Sequence, residues 1–177
     1  MRRSRAALGS AIFLAVAPGL VAGLVPWWLT GWQPGDPPYP AWPRAVGVIL
    51  LVAGIPVLIS AFIRFVVEGL GTPAPIAPPE HLVVGGLYRY VRNPMYLAVV
   101  AVIVGQALVL SRPVLFAYAA AVAVLMVAFV YGYEQPTLAR TFGAEYEAYR
   151  RAVPGWRPRL RPWHPDGGET PDPVDRR

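Results

Sequence analysis

Four continuous apolar stretches, 6–29, 45–67, 94–110 and 113–133, constrain this chain more than any other feature. A helix needs about 20 mostly apolar residues to cross the roughly 30 Å hydrocarbon core of a bilayer. The first, second and fourth stretches meet that length, and the third sits at its lower limit. None alternates polar and apolar residues as the strands of a membrane barrel do. Only helices and closed barrels satisfy their own backbone groups in lipid. The expected fold is therefore an all-α integral membrane protein with about four transmembrane helices and a cytoplasmic C-terminal amphipathic helix. One domain is expected over 1–161. The tail 162–177, rich in Pro, Gly and acidic residues, reads as disordered, with His164 in it as a solvated residue. The first stretch begins with Arg2, Arg3 and Arg5, as a signal peptide does, but its apolar body exceeds the usual 7–15 residues. It is read as a span.

Charge supports the same picture. Only 15% of residues are charged and 55% are apolar, whereas soluble domains carry about a quarter charged residues. The net charge of +6 rests on 16 basic residues, all of them arginine. With the N-terminus inside, Arg44 and Arg112 alone face out, which leaves 14 arginines on the inner side. That bias places both termini in the cytoplasm. Trp27, Trp28, Trp32, Tyr39 and Trp42 crowd the outer boundary as an aromatic belt. Because the arginines flank apolar blocks, a membrane accounts for them better than nucleic acid, and no nucleic-acid partner is expected. The chain has no cysteine, which excludes disulfides, thiolate metal sites and a cysteine nucleophile. His81 and His164 are its only imidazoles, too few for a histidine-rich metal site, and no metal is expected.

Two inner segments carry the chemistry. In 71–96, Asn93-Pro94 has the form of a helix N-cap followed by proline at the first helical position. The free N–H groups of that helix start, with Arg92 beside them, suit a carboxylate or phosphate. Gly85-Gly86 permits close approach of a ligand. Tyr88, Tyr90 and Tyr96 offer rings for stacking or for a cation, or serve as interfacial anchors. In 133–159, Glu134 ends the fourth stretch, where a carboxylate needs a partner unless it snorkels to the interface. Pro136 opens a further helix. Its Phe142, Tyr146, Tyr149 and Val153 form one stripe, while Arg140, Arg150 and Arg151 can reach lipid phosphates. This helix either lies on the bilayer or folds back over the site, and packing is the simpler reading of its aromatics. Pro18, Pro26 and Pro56 are read as kinks, and Arg112-Pro113 as a tight turn between the last two spans.

Two patterns occur together: Leu82-Val83, Gly86, Tyr88-Arg89, Arg92-Asn93-Pro94 and Tyr96, then Glu134, Leu138, Phe142-Gly143, Tyr146, Tyr149 and Val153-Pro154. Jointly they resemble the isoprenylcysteine carboxyl methyltransferase family, including its bacterial branch, and are similar to the phospholipid N-methyltransferases of the same superfamily. Thr72-Pro73-Ala74-Pro75 also resembles the bacterial branch. The resemblance covers about 68–159. It implies a methyltransferase of the inner or plasma membrane that uses S-adenosylmethionine and a lipophilic or lipid-borne acceptor, carboxylate or amine. The cofactor contacts it implies are His81, Leu82, Val83, Gly86, Leu87, Tyr88, Arg92, Asn93, Pro94, Tyr96 and Glu134, with Glu134 and Asn93 as the catalytic pair. Three positions depart from the family pattern. Asn93 stands where many members have histidine, Gln135 where a second acid is frequent, and Val130 where the eukaryotic carboxyl methyltransferases have arginine. A phospholipid N-methyltransferase and a non-catalytic membrane scaffold are the alternative readings. A transporter is disfavoured, because no charge lies mid-span in the third or fourth stretch.

Overall fold

A computed structural model describes residues 18–69 and 81–164. The front of the first apolar stretch, the Thr72–Pro75 run and the tail from 165 onward lie outside the described residues. Helix α1 is Leu20–Thr30, α2 is Ala41–Gly69, α3 is Pro94–Leu110, α4 is Val114–Phe129 and α5 is Gln135–Ala152, with a 3-10 turn at Gly86–Arg89. Among the described residues there is no strand. Two helices are long and apolar enough to cross a membrane, α2 and the helical run Val114–Ala152, which kinks at Gly143, while α1 and α3 are apolar but shorter.

The shortest apolar stretch is the centre of the bundle. Val99, Val102, Ile103 and Ala107 of α3 are buried in one cluster with Leu115, Ala119 and Val122 of α4 and Ala22 of α1. By contrast, α2 and α4 turn large side chains outward, with Val52 at 69% and Leu125 at 68% exposure. An apolar exterior of that kind suits lipid. Lipid is as apolar as leucine, so burial alone does not hold such helices together, and close packing through small residues does. Here α2 and α3 touch backbone to backbone. A Cβ added at Gly47 would lie 2.8 Å from the Gly105 carbonyl oxygen, and one added at Gly105 would lie 2.9 Å from Leu51 Cγ.

Proline shapes the helices without breaking them. A π turn at Leu20–Leu24 precedes Pro26, and another at Val130–Glu134 precedes Pro136. In the second, the Gln135 N–H reaches back to the Val130 carbonyl. The wider turn makes room for the proline ring, which otherwise clashes with the carbonyl one turn earlier. Pro136 therefore does not open a separate helix, and the chain continues helically from 114 through Pro136 to the break at Gly143. At one end of the bundle the α3–α4 turn is tight, with Ser111 left-handed at φ 55°. The loop 31–40 closes over it: the Gly35 N–H donates to the Leu110 carbonyl at 2.7 Å and Arg112 Nε to the Gln33 carbonyl at 2.9 Å.

At the other end α5 bends at Gly143, where φ is 52° and ψ −123°. Only glycine adopts that geometry without strain. The bend carries Tyr146, Tyr149 and Val153 into a buried cluster with Leu82, Val84, Phe142 and Trp163. The aromatic stripe is thus a packing face folded back over 81–92. The Trp163 ring lies tilted against Tyr149 with centroids 5.4 Å apart, so Pro162–His164 run on from the packed part of the chain. Gly143→Ala is expected to destabilise this fold-back by about 1–3 kcal/mol. Limited proteolysis in detergent should then release the C-terminal segment faster, with the helices before it still protected.

Candidate active site

The site is built where α3 begins and α4 ends. Tyr96, in the first turn of α3, donates its hydroxyl to Glu134 Oε2 at 2.8 Å, joining residues 38 apart in the chain. Glu134 stands at the junction of the π turn and α5. Arg92 acts on it electrostatically without forming a close ion pair. Tyr88, Arg92, Asn93, Pro94, Met95, Tyr96 and Glu134 together line a crevice of about 30 Å³.

The segment after α5 is strapped across this crevice. Arg92 donates its N–H to the Pro154 carbonyl at 2.9 Å, Nε to the Val153 carbonyl at 2.9 Å and Nη1 to the Tyr146 hydroxyl at 3.2 Å. Further along, the Arg159 N–H donates to the Tyr90 carbonyl and the Trp163 N–H to the Arg89 carbonyl. Tyr149 donates its hydroxyl to the Tyr88 carbonyl at 2.7 Å. Burial pushes the Tyr149 phenol above its ordinary value, with Tyr88 adding to the effect, so it stays a neutral donor. Trp156 lies over Tyr96, ring centroids 6.5 Å apart, and donates Nε1 to the Tyr131 hydroxyl at 3.2 Å.

Asn93 departs from its expected local role. It occupies the N-cap position, but its side chain makes no capping bond. Instead Nδ2 donates to the Gly155 carbonyl at 3.1 Å. The strap competes for the side chain and wins, which leaves the first N–H groups of α3 without that cap.

Of the eleven residues expected at the site, Tyr88, Arg92, Asn93, Pro94, Tyr96 and Glu134 meet at the crevice. The other five lie elsewhere. His81 is exposed. Leu82 packs under α5 and Val83 is buried beside Ala61 and Met95. Gly86 and Leu87 line a separate cleft with Arg64 and Arg89. One residue that meets the strap, Gly155, escaped sequence reasoning. Tyr146 was visible as part of a packing stripe, but its bond to Arg92 needs the bend at Gly143. Among the described residues no group of His, Asp or Glu side chains is gathered for a metal.

A lipid-faced helical bundle with a carboxylate and tyrosines at one polar end fits the membrane methyltransferases. The Phospholipid methyltransferase family matches residues 42–145, more than half of the chain. The chain belongs to that family, in the superfamily that includes the isoprenylcysteine carboxyl methyltransferases. No curated protein and no solved structure matches the chain significantly.

Proposed function

We propose that the protein is an integral membrane methyltransferase that uses S-adenosylmethionine and methylates a lipophilic or lipid-borne acceptor at the cytoplasmic face. In this reading α1 to α4 are four spans and both termini lie inside. The Tyr96–Glu134 pair carries the proposal, because it joins the two separated sequence patterns at one crevice.

The donor set suits this zwitterionic, sulfonium-bearing cofactor. Glu134 and the tyrosine faces favour its positive groups, and Arg92 with the start of α3 favours its carboxylate. When bound, the cofactor supplies an activated methyl group. The chain's own task is to align the acceptor and exclude water, with no metal and no covalent intermediate. The crevice of about 30 Å³ is far below the roughly 300–1,000 Å³ of pockets that enclose a drug-sized ligand. The strap 153–163 therefore moves aside to admit the cofactor, its bonds from Arg92 and Asn93 opening first.

An amine acceptor is the more specific reading. Val130, 1% exposed, occupies the place where the resemblance sets an arginine for a substrate carboxylate, and Asn93 neither gains nor loses a proton near neutral pH. Membranes containing the protein, incubated with methyl-labelled S-adenosylmethionine, test both levels. Label entering lipid as a base-stable amine supports the specific reading, and a base-labile ester replaces it with carboxyl methylation. If no label enters lipid and the purified protein fails to bind the cofactor at micromolar concentration, the methyltransferase assignment is overturned.

A further inference from the structure

A second site is lined by residues apart from the crevice. An apolar groove of about 770 Å³ runs between α1, α2 and α3, walled by residues such as Ala22, Leu51, Ile55, Ile59 and Val102. Its polar groups are paired with one another. Trp32 Nε1 donates to Gln106 Oε1 at 3.2 Å, and Gln106 Nε2 donates to the Ala22 carbonyl. Along α2 the groove runs about 18 Å from Leu51 to Ile63, at 1.5 Å per residue, and it continues past Leu51 to Trp32, Val109 and Leu110 at the loop end of the bundle.

At Ile63 the groove meets a basic cleft of about 600 Å³ that Ile63 also lines, together with Ser60, Arg64, Gly86 and Arg89. Among the described residues lining this cleft there is no carboxylate. Gly86 shapes it. With φ at 55°, and with the Arg64 Nε only 3.1 Å from where a Cβ would stand, the turn lets the Arg64 chain lie against bare backbone. Arg89 Nε is buried there with no hydrogen-bond partner, so a cationic donor lacks an acceptor.

We propose that groove and cleft together bind one anionic phospholipid, an acyl chain along α2 and the phosphate on Arg64 and Arg89. Apolar lining and charge together match an amphiphile with a negative head. The site is separate from the crevice and does not depend on methyl transfer.

The full chain, reconstituted in nanodiscs with equal palmitoyl-oleoyl phosphatidylglycerol and phosphatidylcholine, tests this by native mass spectrometry. Wild-type protein should retain one phosphatidylglycerol, preferred by about ten-fold or more, as two arginines near a lipid head predict. The Arg64→Gln/Arg89→Gln pair should bring that preference to parity, and Arg64→Lys with Arg89 intact should keep most of it. Ile59→Trp, which fills the groove, should abolish retention of both lipids while helicity by circular dichroism is unchanged. Binding of S-adenosylmethionine by the same variants, measured in parallel, is expected to stay at the wild-type level, so failure of either site reads out by itself. Equal retention of the two lipids, a preference that survives both arginine substitutions, or no retained lipid at all overturns the proposal.

Discussion

Glutamine at position 134 should weaken binding of S-adenosylmethionine by roughly 10- to 100-fold, the range of a lost charge-assisted hydrogen bond. The substitution keeps size and shape and keeps an oxygen that can accept from the Tyr96 hydroxyl. What it removes is the charge, so the change in affinity reports on the electrostatic pairing of Glu134 with a cationic ligand. The apo protein should lose little stability, because a partly buried carboxylate is itself costly to hold among helices. Thermal unfolding in detergent without cofactor therefore separates a binding defect from a folding defect. Tyr96→Phe should have a smaller effect, since the carboxylate remains and loses one donor. Because the two side chains are bonded, their effects should not add, and a double-mutant cycle measures the coupling. If Glu134→Gln binds the cofactor as tightly as wild type, the crevice is not its site.

The second large effect is structural. Gly105→Val is expected to destabilise the bundle by about 3 kcal/mol or more, at the upper end for overpacking of a tight interface. Its first added carbon would already stand 2.9 Å from Leu51 Cγ and 3.0 Å from the Gly47 carbonyl oxygen. Backbone on the partner helix cannot rotate away as a side-chain tip can. Gly47→Val should do the same from the other side, and the two together should cost less than their sum. Gly23→Ala is the contrast. Nothing lies within 4 Å of a Cβ there, and alanine is the better helix former by about 0.5–1 kcal/mol. Thermal unfolding in detergent should place Gly23→Ala at or above wild type and Gly105→Val well below. Were both glycines equally tolerant, the α2–α3 contact would not hold the bundle.

Continuity of apolar character made the helices legible. The stretch at 94–110 coincides with α3, because Pro94 and the left-handed Ser111 are local stops that need no tertiary context. The fourth stretch was legible only in part. Its apolar run ends at 133, yet hydrogen bonding does not, since a π turn absorbs Pro136 and passes the helix on. Sequence treats a proline as a boundary, while the backbone has a second way to accommodate it. Depth in the bundle was hidden as well. α3 is as apolar on all sides as α2, and only packing through Gly47 and Gly105 makes one central and leaves the other facing outward.

Within the site, residues near each other in the chain were found together: Arg92 to Tyr96, with Tyr88 one turn before. Glu134 was singled out because a carboxylate at the end of an apolar helix needs a partner. That partner, Tyr96, was already named for its ring, but no local rule joins the two.

By itself the sequence determined an all-helical, arginine-flanked apolar chain, its family, and the acidic and capped segments from which a site is made. These follow from composition and short-range chemistry, which act residue by residue. The tertiary structure alone decided that Asn93 turns to Gly155 instead of capping its helix, that Arg92 is bound up by the strap, and that the cleft of Arg64 and Arg89 shares Ile63 with an apolar groove. Each of those depends on which distant groups compete for the same donor or the same space, and that competition exists only once the helices have packed.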